Sequence, residues 1–170
     1  VVDLDGSALK SIGLARQIFG MKLINVPKLK THAQAMMTGA IKNLAFGCIP
    51  GAGKSRLHSV GNTPQKFGRV IVDVYSAVRG SVDLNLMDAI VGMDGNGPTM
   101  GRVRRIGKIL ASRDALALDM VSFKMVGINP EDVPHIAEAI ERGIGPSCFD
   151  EIEVLGELPT GLKYRLPYTI

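Results

Sequence analysis

Two hydrophobic periods alternate along this chain, and that alternation is the strongest constraint on its fold. Lys22–Val26 is a short apolar run closed by Pro27, the pattern of a buried strand. Thr63-Pro64 reads as a helix start, and Phe67, Val70, Ile71, Val74 and Val78 then recur at helical spacing to Arg79. Asp83–Ile90 and Arg105–Ala111 read as strands, separated by the glycine-rich loop Gly92–Gly101. Ser112 is placed to cap a helix over Asp114–Val126, apolar nearly all round and so expected to be buried. Asn129–Asp132 is a further start signal, followed by a short amphipathic helix over Pro134–Arg142 that Gly143 stops. The spacing also predicts a helix over Gln34–Ala45, a loop over Gly47–Ser55 and a last strand over Glu151–Leu155. The expected fold is α/β: a mixed β-sheet flanked by helices, one domain over residues 1–170 with a loop-like tail at 157–170. The first residues show neither an initiator methionine nor a leader pattern, so the chain reads as a fragment of a longer protein, truncated at its N-terminus.

Composition narrows the functional classes. No apolar run reaches the roughly 18 residues a membrane span needs, and a cytoplasmic location is expected. Cys48 and Cys148 lie far apart and outside any CxxC pair, so the chain carries no zinc or iron–sulfur ligand set. Charge is uneven: residues 1–126 hold 17 Lys/Arg against 8 Asp/Glu, and residues 127–170 hold 3 against 8. The basic part also holds the glycine-rich loops, which favours a small anionic ligand or nucleic acid there.

Val26–His58 is the segment richest in chemistry. It holds Lys28, Lys30, Lys42, Lys54, His32 and His58, and no carboxylate. Gly51-Ala52-Gly53-Lys54-Ser55 is similar to the end of a P-loop, but the glycine that opens a P-loop falls on Cys48, and Pro50 removes a donor. A looser anion nest built on Gly51, Gly53 and Lys54 is the remaining reading of that stretch. The stronger constellation is His32, Lys42, Asn43, Lys54 and His58. Its imidazoles suit a soft divalent metal, and its lysine suits an anion or, if burial lowers its pKa, a covalent adduct. The Gly92–Gly101 loop adds Asp88, Asp94, Gly95, Asn96 and Gly97 across an expected cleft, without the spacing of a calcium loop. Asp119 is a carboxylate inside an apolar helix and must be hydrogen-bonded or paired. Arg102, Arg104, Arg105 and Lys108 alternate like a strand edge. No aromatic residue interleaves with them, which counts against nucleic acid.

The motifs NVPKLKTH (Asn25–His32), GAIKNLAFGCIPG (Gly39–Gly51), MDAIVGMDGNGP (Met87–Pro98) and ILASRDALALD (Ile109–Asp119) resemble those of the domain-of-unknown-function 362 family. Many of its members carry a ferredoxin-type cysteine module, so the resemblance implies such a module as a partner in the full-length protein. A more distant likeness is to the nickel-pincer lactate racemases. Here His32 precedes Lys42 by ten positions, Pro50-Gly51 follows, and His58 lies downstream. That likeness implies Lys42 as a covalent cofactor anchor, His58 as a nickel ligand and His32 as an acid–base group. Two features depart from it: Gly39-Ala40-Ile41-Lys42 lacks the double glycine, and the second acid–base histidine of an earlier segment is missing. His135 does not align in its place.

The expectation is therefore a cofactor- or anion-binding domain, part of a redox or isomerase-type enzyme. His32 and Lys42 would do chemistry, His58 would ligate a metal, and Lys30, Asn43, Gly51, Gly53, Lys54 and Asp94–Gly97 would bind the cofactor. The alternative is a non-catalytic module that docks a partner or nucleic acid through its basic face.

Overall fold

The structure, a computed structural model, describes residues 1–167, the side chain of Ala52 aside. Its centre is a five-stranded mixed sheet: β3 (Leu23–Asn25), β4 (Lys28–His32), β5 (Met36–Thr38), β6 (Val82–Asp94) and β7 (Arg102–Ser112). β6 is the spine. β7 runs antiparallel along one side of it; β3 and then β4 run parallel along the other. The break between β3 and β4 falls at Val26-Pro27, where proline has no N–H for the ladder and its carbonyl accepts from Asp88 N at 2.8 Å. β4 turns back into β5 through Ala33–Ala35, with His32 opposite Met36. A separate hairpin pairs β1 (Val2–Asp3) with β2 (Ser11–Ile12). Its loop is tied to buried Asp73, which accepts the N–H groups of Ser7, Ala8 and Leu9 and pairs with Arg142 at 2.7 Å.

Five helices complete the fold: α1 (Ala40–Gly47), α2 (Gly51–Val60), α3 (Pro64–Val78), α4 (Ala115–Met125) and α5 (Pro134–Glu141). α3 starts as the sequence indicates, with Thr63 Oγ1 accepting from Lys66 N and Pro64 in the first turn. The cap of α4 is Asp114, whose side chain accepts from Ala117 N, while Ser112 Oγ accepts from Asp114 N one step earlier. α4 is buried almost throughout, as its all-round apolar pattern requires. The core joins Leu29 and Met87 of the sheet to Ile41, Phe67, Leu116 and Phe123 of the helices, all fully buried.

Three expectations about local structure are corrected. Gln34–Ala45 is not one helix: Met36–Thr38 pairs with β4, and the helix starts only at Ala40. Gly47–Ser55 is not a loop throughout, because α2 begins at Gly51 and is anchored by buried Leu57. Asn129–Asp132 does act as a start signal: a 3₁₀ turn over Pro130–Asp132 with Asn129 at its N-cap leads into α5 at Pro134. Glu151–Leu155 forms no strand: it leaves a 3₁₀ turn at Phe149–Glu151 and runs on without ladder partners. Of the tail, residues 157–167 are irregular, and 168–170 lie outside the described residues.

One irregularity decides the placement of Asp94. On β6, Asn85, Met87 and Ala89 face the core. A register shift between Ala89 and Val91 then sets two residues of β7, Ile106 and Gly107 (φ +74°), against the single Ile90 of β6. The alternation reverses, and Gly92 and Asp94 turn inward instead of out.

Candidate functional site

The β4–β5 hairpin, α1 and α2 converge on the ring of Phe67 from α3. The centroid of His32 is 6.0 Å from that of Phe67, and the centroid of His58 is 4.9 Å away. Lys42 Nζ is 6.0 Å from the same centroid and 4.6 Å from that of Phe46. The two imidazoles are stacked, 5.9 Å apart and 6° from parallel. Three of the residues singled out in the sequence therefore form one cluster, although they come from a strand and two different helices.

Lys42 is the unusual member. It is only 7% exposed, and among the described residues it makes no hydrogen bond and no ion pair. Its ammonium lies over the rings of Phe46 and Phe67. Burial, and then the charge of Lys30, lower its pKa from 10.5 to about 8. His32 is pushed down to about 3, by burial first and then by the charges of Lys42, His58 and Lys30. His58 is lowered by burial and by Lys42. Lys42 thus acts electrostatically on both rings.

What holds Lys42 in place is a carboxylate from another helix. α1 has no capping side chain of its own, because its N-cap residue is Gly39. Asp119 of α4, fully buried, accepts Ala40 N–H at 2.5 Å and Ile41 N–H at 3.0 Å. A Cβ on Gly39 would collide with Asp119 Oδ1, so the glycine is the space into which the carboxylate fits. Burial raises Asp119 to about 7, against the two N–H donors that lower it. Asp119 is thus hydrogen-bonded, as its place in an apolar helix requires, and it links ILASRDALALD to GAIKN in space.

Asn43 works in the same framework. Its Nδ2 donates to Asn25 Oδ1 at 2.8 Å, Asn25 Nδ2 donates to Ala40 O and to Asn85 Oδ1, and Asn85 Nδ2 donates to the carbonyls of Ser112 and Arg113. This chain of three amides ties α1 to β3, β6 and the end of β7.

The remaining predicted site residues divide. Lys30 stands near enough to Lys42 and His32 to lower both, and its Nζ reaches Pro98 O at 3.4 Å. Gly51, Gly53 and Lys54 lie in the first turn of α2, where Gly53 N donates to Pro50 O; the curled nest expected of these glycines does not form. Lys54 is exposed. Asp94 is fully buried but occupied: Arg102 Nη2 lies 3.2 Å away, Arg104 Nη1 3.8 Å, and Arg165 N donates to it at 3.1 Å. Asp88 pairs with Lys28 at 2.6 Å. Gly95 and Gly97 dock the hairpin loop onto β4. Thr31 Oγ1 donates to Gly95 O, Ala33 N donates to Gly97 O, and a Cβ on Gly97 would strike the Thr31 carbonyl. Asn96 is exposed at the tip. The loop thus supports the backbone beside His32, and its acid is spent on arginines. Among the described residues no group of three or more His, Cys, Asp or Glu side chains is placed to hold a metal ion.

Sequence reasoning missed Gln34, Phe46, Phe67 and His135. His135 is fully buried, edge-on to Phe123, with neither ring nitrogen partnered among the described residues. Burial holds it at about 3, with smaller contributions from Lys42 and His32. Two histidines that stay neutral when folded give a pH dependence of known sign. Below about 6.5 the unfolded chain protonates its histidines and the folded one does not, so stability falls as pH drops from 6.5 toward 3. In urea unfolding, His135→Leu is expected to keep or raise stability at neutral pH and to flatten this acid loss; an unchanged slope would contradict the assignment.

No helix among the described residues is long and apolar enough to cross a membrane. Residues 1–124 match the family described as Domain of unknown function (DUF362). Over 129 residues the chain is 39% identical to a thylakoid-associated protein of Synechocystis sp.; the match covers 75% of this chain and 39% of that protein. The chain thus spans well under half the length of this relative. No solved structure matches. The comparisons support the first of the two resemblances drawn from the motifs.

Proposed function

The chain belongs to the family described as Domain of unknown function (DUF362), and from that premise we propose that the domain binds a small oxyanion, or the oxyanion group of a cofactor, at Lys42. The observation that carries the reading is a lysine only 7% exposed, with no counter-charge among the described residues. A lysine without a partner in a folded core is unfavourable on its own account. An anionic ligand supplies the missing charge, and Lys30 adds a second cation nearby. His32 and His58 then serve as a hydrogen-bond donor and acceptor to the bound group.

The same cluster is suited to chemistry. With a pKa of about 8, about one amine in ten is unprotonated at neutral pH and able to attack a carbonyl or hold a cofactor covalently. The neighbouring imidazoles are proton-transfer groups. This supports placing the domain in an isomerase- or redox-type enzyme, with the substrate supplied by chemistry outside this cluster.

Thermal unfolding in increasing inorganic phosphate tests the binding. Phosphate bound to the folded state alone raises the melting temperature with concentration. The wild-type chain is expected to show that rise and Lys42→Met to lose it. An equal rise in both proteins would put the anion elsewhere, and no rise in the wild type would overturn the reading.

A further inference from the structure

Gln34 holds both imidazoles of the cluster. Its side-chain Nε2 donates to the carbonyls of His58, at 3.3 Å, and Gly61. An amide whose NH₂ rests on two carbonyls must turn its oxygen the other way. Gln34 Oε1 accordingly meets His58 Nδ1 at 2.7 Å. A carbonyl oxygen only accepts, so the proton of neutral His58 is on Nδ1 and its Nε2 carries a lone pair. His32 is the opposite case. Its Nδ1 accepts from the backbone N–H of Gln34 at 3.1 Å and of Ala35 at 3.2 Å, which puts the proton on Nε2. The stacked rings are thus in opposite tautomers, one set by the side chain of Gln34 and the other in part by its backbone.

We propose that Gln34 is a specificity-determining residue: by fixing His58 with a free Nε2 lone pair, it makes the Lys42–His32–His58 cluster select oxyanions that carry a proton over those that carry none. The inference rests on the reading of Lys42 as the anion's partner. The Lys42 ammonium and His32 Nε2–H each need an acceptor, whereas His58 Nε2 needs a donor. Monohydrogen phosphate offers both kinds of atom. Sulfate offers acceptors only, and its oxygen would meet the His58 nitrogen lone pair to lone pair. Burial and the charge of Lys42 both disfavour protonated His58 and so favour the neutral ring with its acceptor nitrogen. His58 is half-buried, and a ligand able to donate to its free nitrogen is favoured over one that can only face it with a lone pair.

Nitrogen NMR of the imidazoles reads the tautomer directly, and titration with phosphate and with sulfate at about pH 7.5 reads the selectivity. In the wild type the His58 proton is expected on Nδ1, with phosphate bound at least about tenfold more tightly than sulfate. Gln34→Leu removes the lock: the Nδ1 signature is lost and the phosphate preference collapses toward equality. Gln34→Glu keeps an acceptor against Nδ1 and is expected to keep the tautomer, although it too loses the NH₂ contacts; a merely structural role for Gln34 would affect both variants alike. A wild-type proton on His58 Nε2, or equal affinity for the two anions, overturns the proposal. If neither anion binds while the tautomers are as described, it is the reading of Lys42 that fails. Should Gln34→Leu not fold, the wild-type tautomer and the wild-type anion ratio still decide the question.

Discussion

Replacing Asp119 by alanine is expected to destabilise the domain by about 3–5 kcal/mol, far more than an ordinary helix cap contributes. The excess follows from where the cap acts. Ala40 and Ile41 are fully buried, so their N–H groups have no water to turn to when the carboxylate is removed. Gly39→Ala is expected to approach the same loss by the opposite route, since its new Cβ would take the space of Asp119 Oδ1 and push the carboxylate off α1. The two changes damage one interaction, so the double variant should be less destabilised than the sum, by more than about 1 kcal/mol. Urea unfolding of the four proteins measures this. Strict additivity would mean that glycine and aspartate serve separate purposes. Asp119→Asn keeps one acceptor and should fall between wild type and alanine.

Lys42→Met is expected to act in the reverse direction and stabilise the domain. The fall of the lysine pKa from 10.5 to about 8 corresponds to about 3 kcal/mol against the charged form at neutral pH. Methionine keeps the length and apolar character of the stem without the charge. The expected gain is about 1–3 kcal/mol, a melting temperature higher by about 2–4 °C for each kcal/mol. The pH dependence has a definite sign. Between about 8 and 10.5 the unfolded chain binds more protons than the folded one, so wild-type stability rises with pH across that window. The advantage of Lys42→Met is therefore largest below pH 8 and shrinks toward 10.5. A stabilised variant that has lost its response to phosphate is the pattern of a site kept for function at the expense of stability. A destabilised variant would make Lys42 an ordinary packing residue.

The α/β layout was legible because it rests on local signals: the periodicity of α3, the Thr63-Pro64 start, and the wholly apolar α4. The failures have physical causes. Gln34–Ala45 offers helical spacing, but β4 pairs with Met36–Thr38 and claims those backbone groups for the sheet. Gly51–Val60 has loop composition, yet burying Leu57 draws it into a helix. At the site, His32, Lys42 and His58 were recognisable by residue type within one carboxylate-free segment. Asp94 is expected across the cleft, whereas the register shift between β6 and β7 turns it inward to Arg102 and Arg104. Phe67 left no signal, because a core phenylalanine on a helix looks the same whether or not imidazoles stack on it. Gln34 lay inside the segment, but its role depends on the direction of an amide that only the carbonyls of His58 and Gly61 determine.

The proposed site turns on Lys42 as an uncompensated, partly deprotonated amine that receives an anion. NMR titration of its side-chain ε-methylene, without and with inorganic phosphate, tests this most directly. The expected midpoint is about 8 for the free domain, rising when phosphate binds and stabilises the ammonium. A midpoint near the ordinary lysine value of about 10.4, unmoved by phosphate, would contradict it.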